Sequence, residues 1–395
     1  MQDLFNGPSS EMHRALRAAS EQGPITTHPV SGATVILRHA DIEALARDPR
    51  LAGVGLVFFD LMGIPSGRLR EWYGSLMFTN EGETHDRLRT LVSRAFTPRS
   101  VEALRTHAAE LCDSAFAGVV AGGGGDLVEP FALVAMRVMC RLLGVPEEDA
   151  EVFGAWADAL SPTFGFMEPG QIAAASDAIE ALLGYVDALA DRRRSRPADD
   201  LISALLAAED AGDRLTHPEL VAMVANLLVG GHDTTTSQIG CSLLTMLAHP
   251  ESSKRLRAEP GLLVSATEET IRFEPSIPAV PRTVVEAVEI AGTELAPGSL
   301  VMLCTAAANR EPQTWTDPDR FDIGRFSVKG TPRLLSFGAG PHFCLGAALA
   351  RMTVQECVRA VAEHGASLKL DVAPEKVPWR VVLGRSPAQL PVTLN

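Results

Sequence analysis

Cys344 sits in the stretch SFGAGPHFCLGAALAR, residues 336–351, where Gly338, Gly340, Gly346, Pro341 and His342 crowd around it. Glycines adopt positive φ or let another group approach the backbone closely, and proline stiffens a turn, so such a loop points one side chain in a fixed direction. The residues that follow, 345–364, are amphipathic at helical spacing. That places Cys344 at a helix N-terminus, where free amides and the helix dipole favour a thiolate. Three chemistries suit a thiolate so held: nucleophile, zinc ligand, or axial ligand to haem iron. Zinc needs about four ligands at short spacing and only His342 is near. A nucleophile needs a histidine base supplied from elsewhere in the fold. On haem iron, an anionic sulfur pushes electron density toward bound oxygen and favours O–O cleavage. The chain has no CxxCH motif, so a haem would not be covalently attached.

A second chemical cluster lies in THPELVAMVANLLVGGHDTTTSQIGCSLLTMLAHP. Thr216 with Glu219 reads as a capping box, Pro218 falls in the first turn, and Pro250 closes the segment. The spacing predicts one helix of roughly 30 residues, about 1.5 Å each, long enough to cross a domain. Its middle carries Gly230, Gly231, Asp233, Thr234, Thr235 and Thr236, which helix propensity disfavours. Two adjacent glycines cost about 2 kcal/mol relative to alanine. A core helix weakened at its centre marks either a close helix crossing, with Asp233 in an ion pair, or a functional site. In the second case Gly230 bares the backbone one turn before the Thr234 hydroxyl, leaving room for something flat.

The elements that must position these groups are mostly helical. Apolar residues recur at three and four spacing through 100–120, 128–143, 172–189 and 198–208. Gly122 to Gly125 reads as a flexible loop, because it lacks the lysine and hydroxyl residue of a phosphate loop. Strand signals cluster in ITTHPVSGATVIL, in TVVEAVEIAGTELAPGSLVML (283–303) and in PWRVVLGRSPAQLPVTL. The fold class is mainly α, an α+β arrangement with helix dominant, and no composition break marks a linker, so residues 1–395 read as a single domain.

Composition narrows the function classes. The 46% hydrophobic content supplies a large core, and a net charge of −14 argues against a nucleic-acid surface. The run from Arg192 to Arg196 reads as the solvated end of a helix. The N-terminus lacks the pattern of a signal peptide and the longest apolar stretch falls short of the roughly 20 residues of a membrane span, so the expected location is cytoplasmic. Six scattered cysteines without a CxxC pair fit buried thiols in a reducing compartment.

FGAGPHFCLG resembles the cysteine signature of the cytochrome P-450 haem-thiolate monooxygenases, and four further segments agree in order and spacing across nearly the whole chain. The resemblance implies a helix-rich triangular prism with small β-sheets and a long central helix. It implies haem b on the Cys344 thiolate, with Phe337, Gly338 and Gly346 in the surrounding signature. GGHDT looks like the oxygen-activation motif: Asp233 and Thr234 would relay protons while Gly230 and Gly231 leave room for oxygen. EETIR is similar to the ExxR motif, so Glu269 and Arg272 would pair, with Arg320 in PDRF as the third member of a structural network. HDRLR looks like the haem-propionate helix, where His85 and Arg89 lie one turn apart, and Arg282 and His342 match two further propionate contacts. One departure stands out: TNEGETH replaces the Asp-Pro-Pro stretch that many bacterial members carry before this helix.

The resemblance further implies a monooxygenase that inserts one atom of O2 into a lipophilic small molecule by hydroxylation or epoxidation. Apolar residues expected near the substrate are Phe58, Phe59, Leu227, Ile277, Ala279 and Val280. The chain carries no flavin or iron–sulfur segment, so electrons would come from a ferredoxin or flavodoxin with its reductase, met by Arg94, Arg99 and Arg351. The expected state is a monomer without membrane or nucleic-acid partners. Two other readings are a peroxide-using peroxygenase, disfavoured by Asp233 and Thr234, and a haem-thiolate sensor without turnover.

Overall fold

The computed structural model describes residues 5, 7–93, 96–210 and 215–394. It is helix-rich with small sheets, as the periodicity implies. The chain forms two compact units, one of residues 1–52, 108–131 and 234–395, the other of residues 53–107 and 132–233. No helix among the described residues is long and apolar enough to cross a membrane.

In the first unit, strands β1 (Ile25–Thr27), β2 (Thr34–Ile36), β3 (Leu51–Ala52), β4 (Val280–Val284) and β5 (Leu300–Leu303) form one sheet in the order β1-β2-β5-β4-β3. Only the β2 and β5 pairing is parallel. Parallel neighbours need a long crossover, and here most of the chain intervenes. Alternation buries Ile36, Val284, Val301 and Leu303 in one cluster with Ile42 and Leu45. The glycine run corrects a sequence expectation. Gly124–Asp126 is a strand paired with Pro391–Leu394, not a flexible loop. Gly124 has φ +128°, and a Cβ there would lie 2.4 Å from the Val392 carbonyl oxygen, so only glycine builds this edge.

The same unit ties its N-terminal helix Ser9–Gln22 to a buried ionic group. Arg385 donates to Glu274 Oε1 at 2.6 Å and to the carbonyls of Phe5 and Gly7 at 3.1 and 2.8 Å. His13 Nε2 lies 3.3 Å from Glu274 Oε2, which also accepts from the Ser9 hydroxyl. Burial, then the nearby Arg310, lowers His13 from 6.5 to about 4. Burial opposes the Glu274 charge, but His13, Arg385 and Arg310 outweigh it and hold the carboxyl at about 2.

Both folded-state values lie below the unfolded ones, so the unfolded chain binds more protons and stability is lost on acidification. The His13 contribution is present above pH 6.5 and declines as pH falls toward about 4; the Glu274 contribution follows below its unfolded value of 4.5. The first step is on the order of 3 kcal/mol. We expect the thermal midpoint to drop between pH 6.5 and 4, and His13→Gln to flatten the upper part of that drop in melts recorded across the range.

In the second unit the helix read at 172–189 extends over Pro169–Ser195, started by a capping box of Glu168 and Gln171. Its basic end is favourable to the dipole, and Arg193 and Arg194 pair with Asp200 and Glu209 at 2.6 and 2.7 Å. The segment read as one helix at 100–120 breaks into Pro98–Glu102 and Arg105–Ala121. The central helix runs unbroken from His217 to Ala248, 32 residues, passing from one unit into the other between Asp233 and Thr234. Its capping box is present: the Thr216 amide donates to Glu219 Oε2 at 2.9 Å, and the Glu219 amide to Thr216 Oγ1 at 3.4 Å. Arg87 then fixes Glu219 at 2.5 Å.

Candidate functional site

In the first unit the Cys344 thiol is exposed, whereas Cys112, Cys140, Cys241, Cys304 and Cys357 are buried. The loop is built by its backbone. The Cys344 amide donates to the Phe337 carbonyl at 2.9 Å, and the Gly338 amide to Leu335 at 2.8 Å. A single 3-10 turn, Gly340–His342, presents His342 half-buried. Gly338 and Gly340 have φ of +71° and +70°, and a Cβ on Gly340 would lie 2.3 Å from the Ala46 carbonyl oxygen. Gly346 differs from expectation. It has φ −78° and nothing within 4 Å of a Cβ, so neither left-handed backbone nor protein packing demands glycine there. The helix after the cysteine starts at Ala347, two residues later than the periodicity suggests.

Phe337 is covered on one face by the Arg351 guanidinium, 4.2 Å from the ring centroid, and Arg351 pairs with Glu268 at 2.6 Å. Arg351 is therefore engaged within the fold. Arg99 is exposed on Pro98–Glu102, and Arg94 lies outside the described residues. Arg282 is half-buried on β4 and donates to the Pro281 carbonyl at 2.9 Å.

Behind the loop, Glu269 and Arg272 on the helix Leu263–Phe273 pair at 2.7 Å, both with side chains 0% exposed. The third member corrects the sequence reading. Arg325 Nε lies 3.0 Å from Glu269 Oε2, while the Arg320 side chain is exposed. Arg320 contributes only its carbonyl, which accepts from Arg325 at 2.8 Å and Arg272 at 3.4 Å. The run PDRFDIGRF offers two arginines, and spacing alone does not tell which one turns inward. The carboxylate is fully used, because it also accepts the Asp322 amide at 2.9 Å. Thr234, also in this unit, is half-buried, and its carbonyl accepts from the Ser276 hydroxyl at 3.3 Å.

In the second unit Gly230 is exposed although Leu228, Val229, His232 and Asp233 around it are buried. Nothing lies within 4 Å of a Cβ placed on it. Gly231 does a different job. A Cβ there would stand 2.9 Å from Met139 Cε, the far end of a flexible side chain, so this glycine faces the helix that carries Met139. Asp233 is 1% exposed, and His232 Nε2 lies 3.4 Å from Asp158. On the helix Gly82–Ser93, His85 is buried with Nδ1 2.9 Å from Asp86, and Arg89 is half-buried. Phe58 is half-buried edge-on to Phe166, and Leu227 is half-buried. Phe59 is 0% exposed and packs on Tyr73 at 4.8 Å, which makes it a core residue of this unit.

Within the first unit the donor fits a thiolate-bound haem: one presented thiol, on a loop held by its own backbone bonds, in a chain whose other thiols are buried. The cytochrome P450 family model matches residues 166–364. Vitamin D(3) 25-hydroxylase of Pseudonocardia autotrophica is 34% identical over 403 residues, covering 100% of this chain and 96% of its own. Nocardicin C N-oxygenase of Nocardia uniformis subsp. tsuyamanensis is 40% identical over 365 residues, covering 91% and 89%. The crystal structure of CalO2 superposes with a TM-score of 0.90 at 30% identity, covering 97% and 96%. Alike in fold and in sequence along nearly its whole length, the chain belongs to the cytochrome P450 family and is a haem-thiolate monooxygenase.

Proposed function

We propose that Cys344 ligates a non-covalent haem b and that the enzyme hydroxylates or epoxidises a lipophilic small molecule, with Asp233 and Thr234 conveying the protons. The observation that carries this reading is the exposed Cys344 thiol, held by a glycine-built loop, in a chain whose other thiols are buried. His85, Arg89, Arg282 and His342 would pair with the haem carboxylates, since charge-assisted donors suit anionic groups. When bound, a thiolate-ligated haem would supply dioxygen activation, in which two electrons and two protons reduce one oxygen atom to water and the other is transferred to the substrate. Asp233, buried at mid-helix, would take up a proton and pass it to Thr234 Oγ1, a hydroxyl that both accepts and donates. Gly230 leaves bare helix one turn before that hydroxyl.

Half-buried Phe58, Leu227, Ile277, Ala279 and Val280 support an apolar substrate, as does the relative named for vitamin D(3). Electrons would come from a ferredoxin or flavodoxin with its reductase, and among the described residues exposed Arg99 and partly exposed Arg351 are the basic contacts from the sequence reading. We read the chain as one catalytic domain acting as a cytoplasmic monomer, with none of its six cysteines in a disulfide.

The test uses a substrate found by titrating lipophilic compounds against the Soret band. Asp233→Asn and Thr234→Val are expected to lower reductase-driven product formation by about 10²-fold or more, while peroxide-driven turnover changes only severalfold. Full reductase-driven activity in both variants would remove the relay from these residues. Peroxide-driven turnover outpacing the reductase-driven kind in the natural enzyme would make it a peroxygenase.

A further inference from the structure

Gln238 lies one turn beyond Thr234 on the central helix and is 6% exposed. Its amide is fully employed. Oε1 accepts the Ser276 amide at 3.0 Å, and Nε2 donates to the Glu274 carbonyl at 3.1 Å and to Ser242 Oγ at 3.3 Å. Ser276, 4% exposed, uses every polar atom it has. Its hydroxyl donates to the Thr234 carbonyl at 3.3 Å, and its carbonyl accepts the Arg385 amide at 2.7 Å. The next residues are pinned as well: the Ile277 carbonyl accepts from Thr305 Oγ1 at 2.7 Å, and the Pro278 carbonyl from the Ala306 amide at 3.0 Å. The segment 274–280, which carries Ile277, Ala279 and Val280, is thus bound at Glu274, Ser276, Ile277 and Pro278, and its link to the central helix runs through Gln238 and Ser276.

A buried amide is an expensive way to fill space that a leucine would fill, because every donor and acceptor must be met or the desolvation is lost. Fully met, such a network specifies one arrangement where apolar packing tolerates several. In a regular helix the Thr234 carbonyl already accepts the Gln238 amide, so the Ser276 hydroxyl is a second bond to it and fixes the turn from outside the helix. We propose that Gln238 and Ser276 are positioning residues, which hold the Thr234 turn and the segment 274–280 in one fixed register. The proton-handling hydroxyl and an apolar substrate wall then keep a constant separation. This rests on the reading of Thr234 given above.

The experiment uses holoenzyme and four forms: natural, Ser276→Ala, Ser276→Thr and Gln238→Leu. Ser276→Ala deletes one hydroxyl and leaves both backbone bonds, so it folds even if Gln238→Leu does not. Imidazole, titrated by the Soret shift of the ferric enzyme, reads the haem face that the proposed function puts beside the Thr234 turn; backbone hydrogen exchange reads the segment itself. We expect Ser276→Ala to change the imidazole Kd at least fivefold and to speed exchange at 274–280 at least tenfold, with the helix 263–273 unchanged. Ser276→Thr, which keeps the hydroxyl, should return both within about twofold. Faster exchange with an unaltered imidazole Kd makes the network structural only and overturns the positioning role. A natural enzyme that takes up haem without the thiolate signature overturns the parent reading, and this role with it, and is told apart by that spectrum.

Discussion

Cys344→Ala will fold, bind haem weakly if at all, and lose the thiolate signature of the reduced carbon monoxide complex together with all monooxygenation. The thiol is exposed, and the loop is held by backbone bonds such as Cys344 N–H to the Phe337 carbonyl, which the substitution leaves intact. Surface changes of this kind shift stability by only about 0.5 kcal/mol. What disappears is the anionic donor, and no other thiol can replace it, because the remaining cysteines are buried away from solvent. Burial holds Cys140 and Cys304 at about 12, and raises Cys241 and Cys357 also, so these thiols stay protonated. The measurement pairs far-ultraviolet circular dichroism with the carbon monoxide difference spectrum. A variant that keeps the thiolate band would move the ligand elsewhere and undo the assignment.

Glu269→Ala is expected to cost about 3–5 kcal/mol, a large share of a typical 5–15 kcal/mol stability. The change strands two guanidinium groups, Arg272 at 0% exposure and Arg325 at 12%. Arg272 would keep its bonds to the carbonyls of Asn309 and Pro318 at 2.8 and 2.9 Å but lose its counter-ion. Arg325→Ala should follow the same direction with a smaller loss, since that side chain is partly hydrated. Arg320→Ala should stay within about 0.5 kcal/mol, because only its backbone takes part. Urea unfolding of the three variants decides the membership of the network. A destabilised Arg320→Ala beside a neutral Arg325→Ala would restore the pattern read from sequence.

That exchange of arginines shows where legibility stops. The ExxR pair was readable because three-residue spacing on a helix forces Glu269 and Arg272 onto one face. The partner arrives from an irregular segment in which Arg320 and Arg325 are both close in sequence, and the route of the backbone chooses between them. Gly230 and Gly231 repeat the point. Propensity marks both as costly in a helix, yet neighbouring positions differ by about 100° of rotation. One is left uncovered and the other meets Met139. Gly124 failed for the opposite reason, since glycine in sequence says that backbone is unusual without saying that it pairs.

By itself the sequence determined the helix-rich class, the length and capping of the central helix, the loop that presents Cys344 and the family. Each of these rests on local chemistry: periodicity, caps, turn residues and a compact motif, all set by neighbours within a few positions. Only the tertiary structure decided that Arg325 joins Glu269, that Phe59 is core, that Arg351 is spent on Glu268 and Phe337, and that Gln238 and Ser276 tie the Thr234 turn to residues 274–280. Those choices depend on which side chains are desolvated together by segments far apart in the chain, and burial is a property that no local pattern contains.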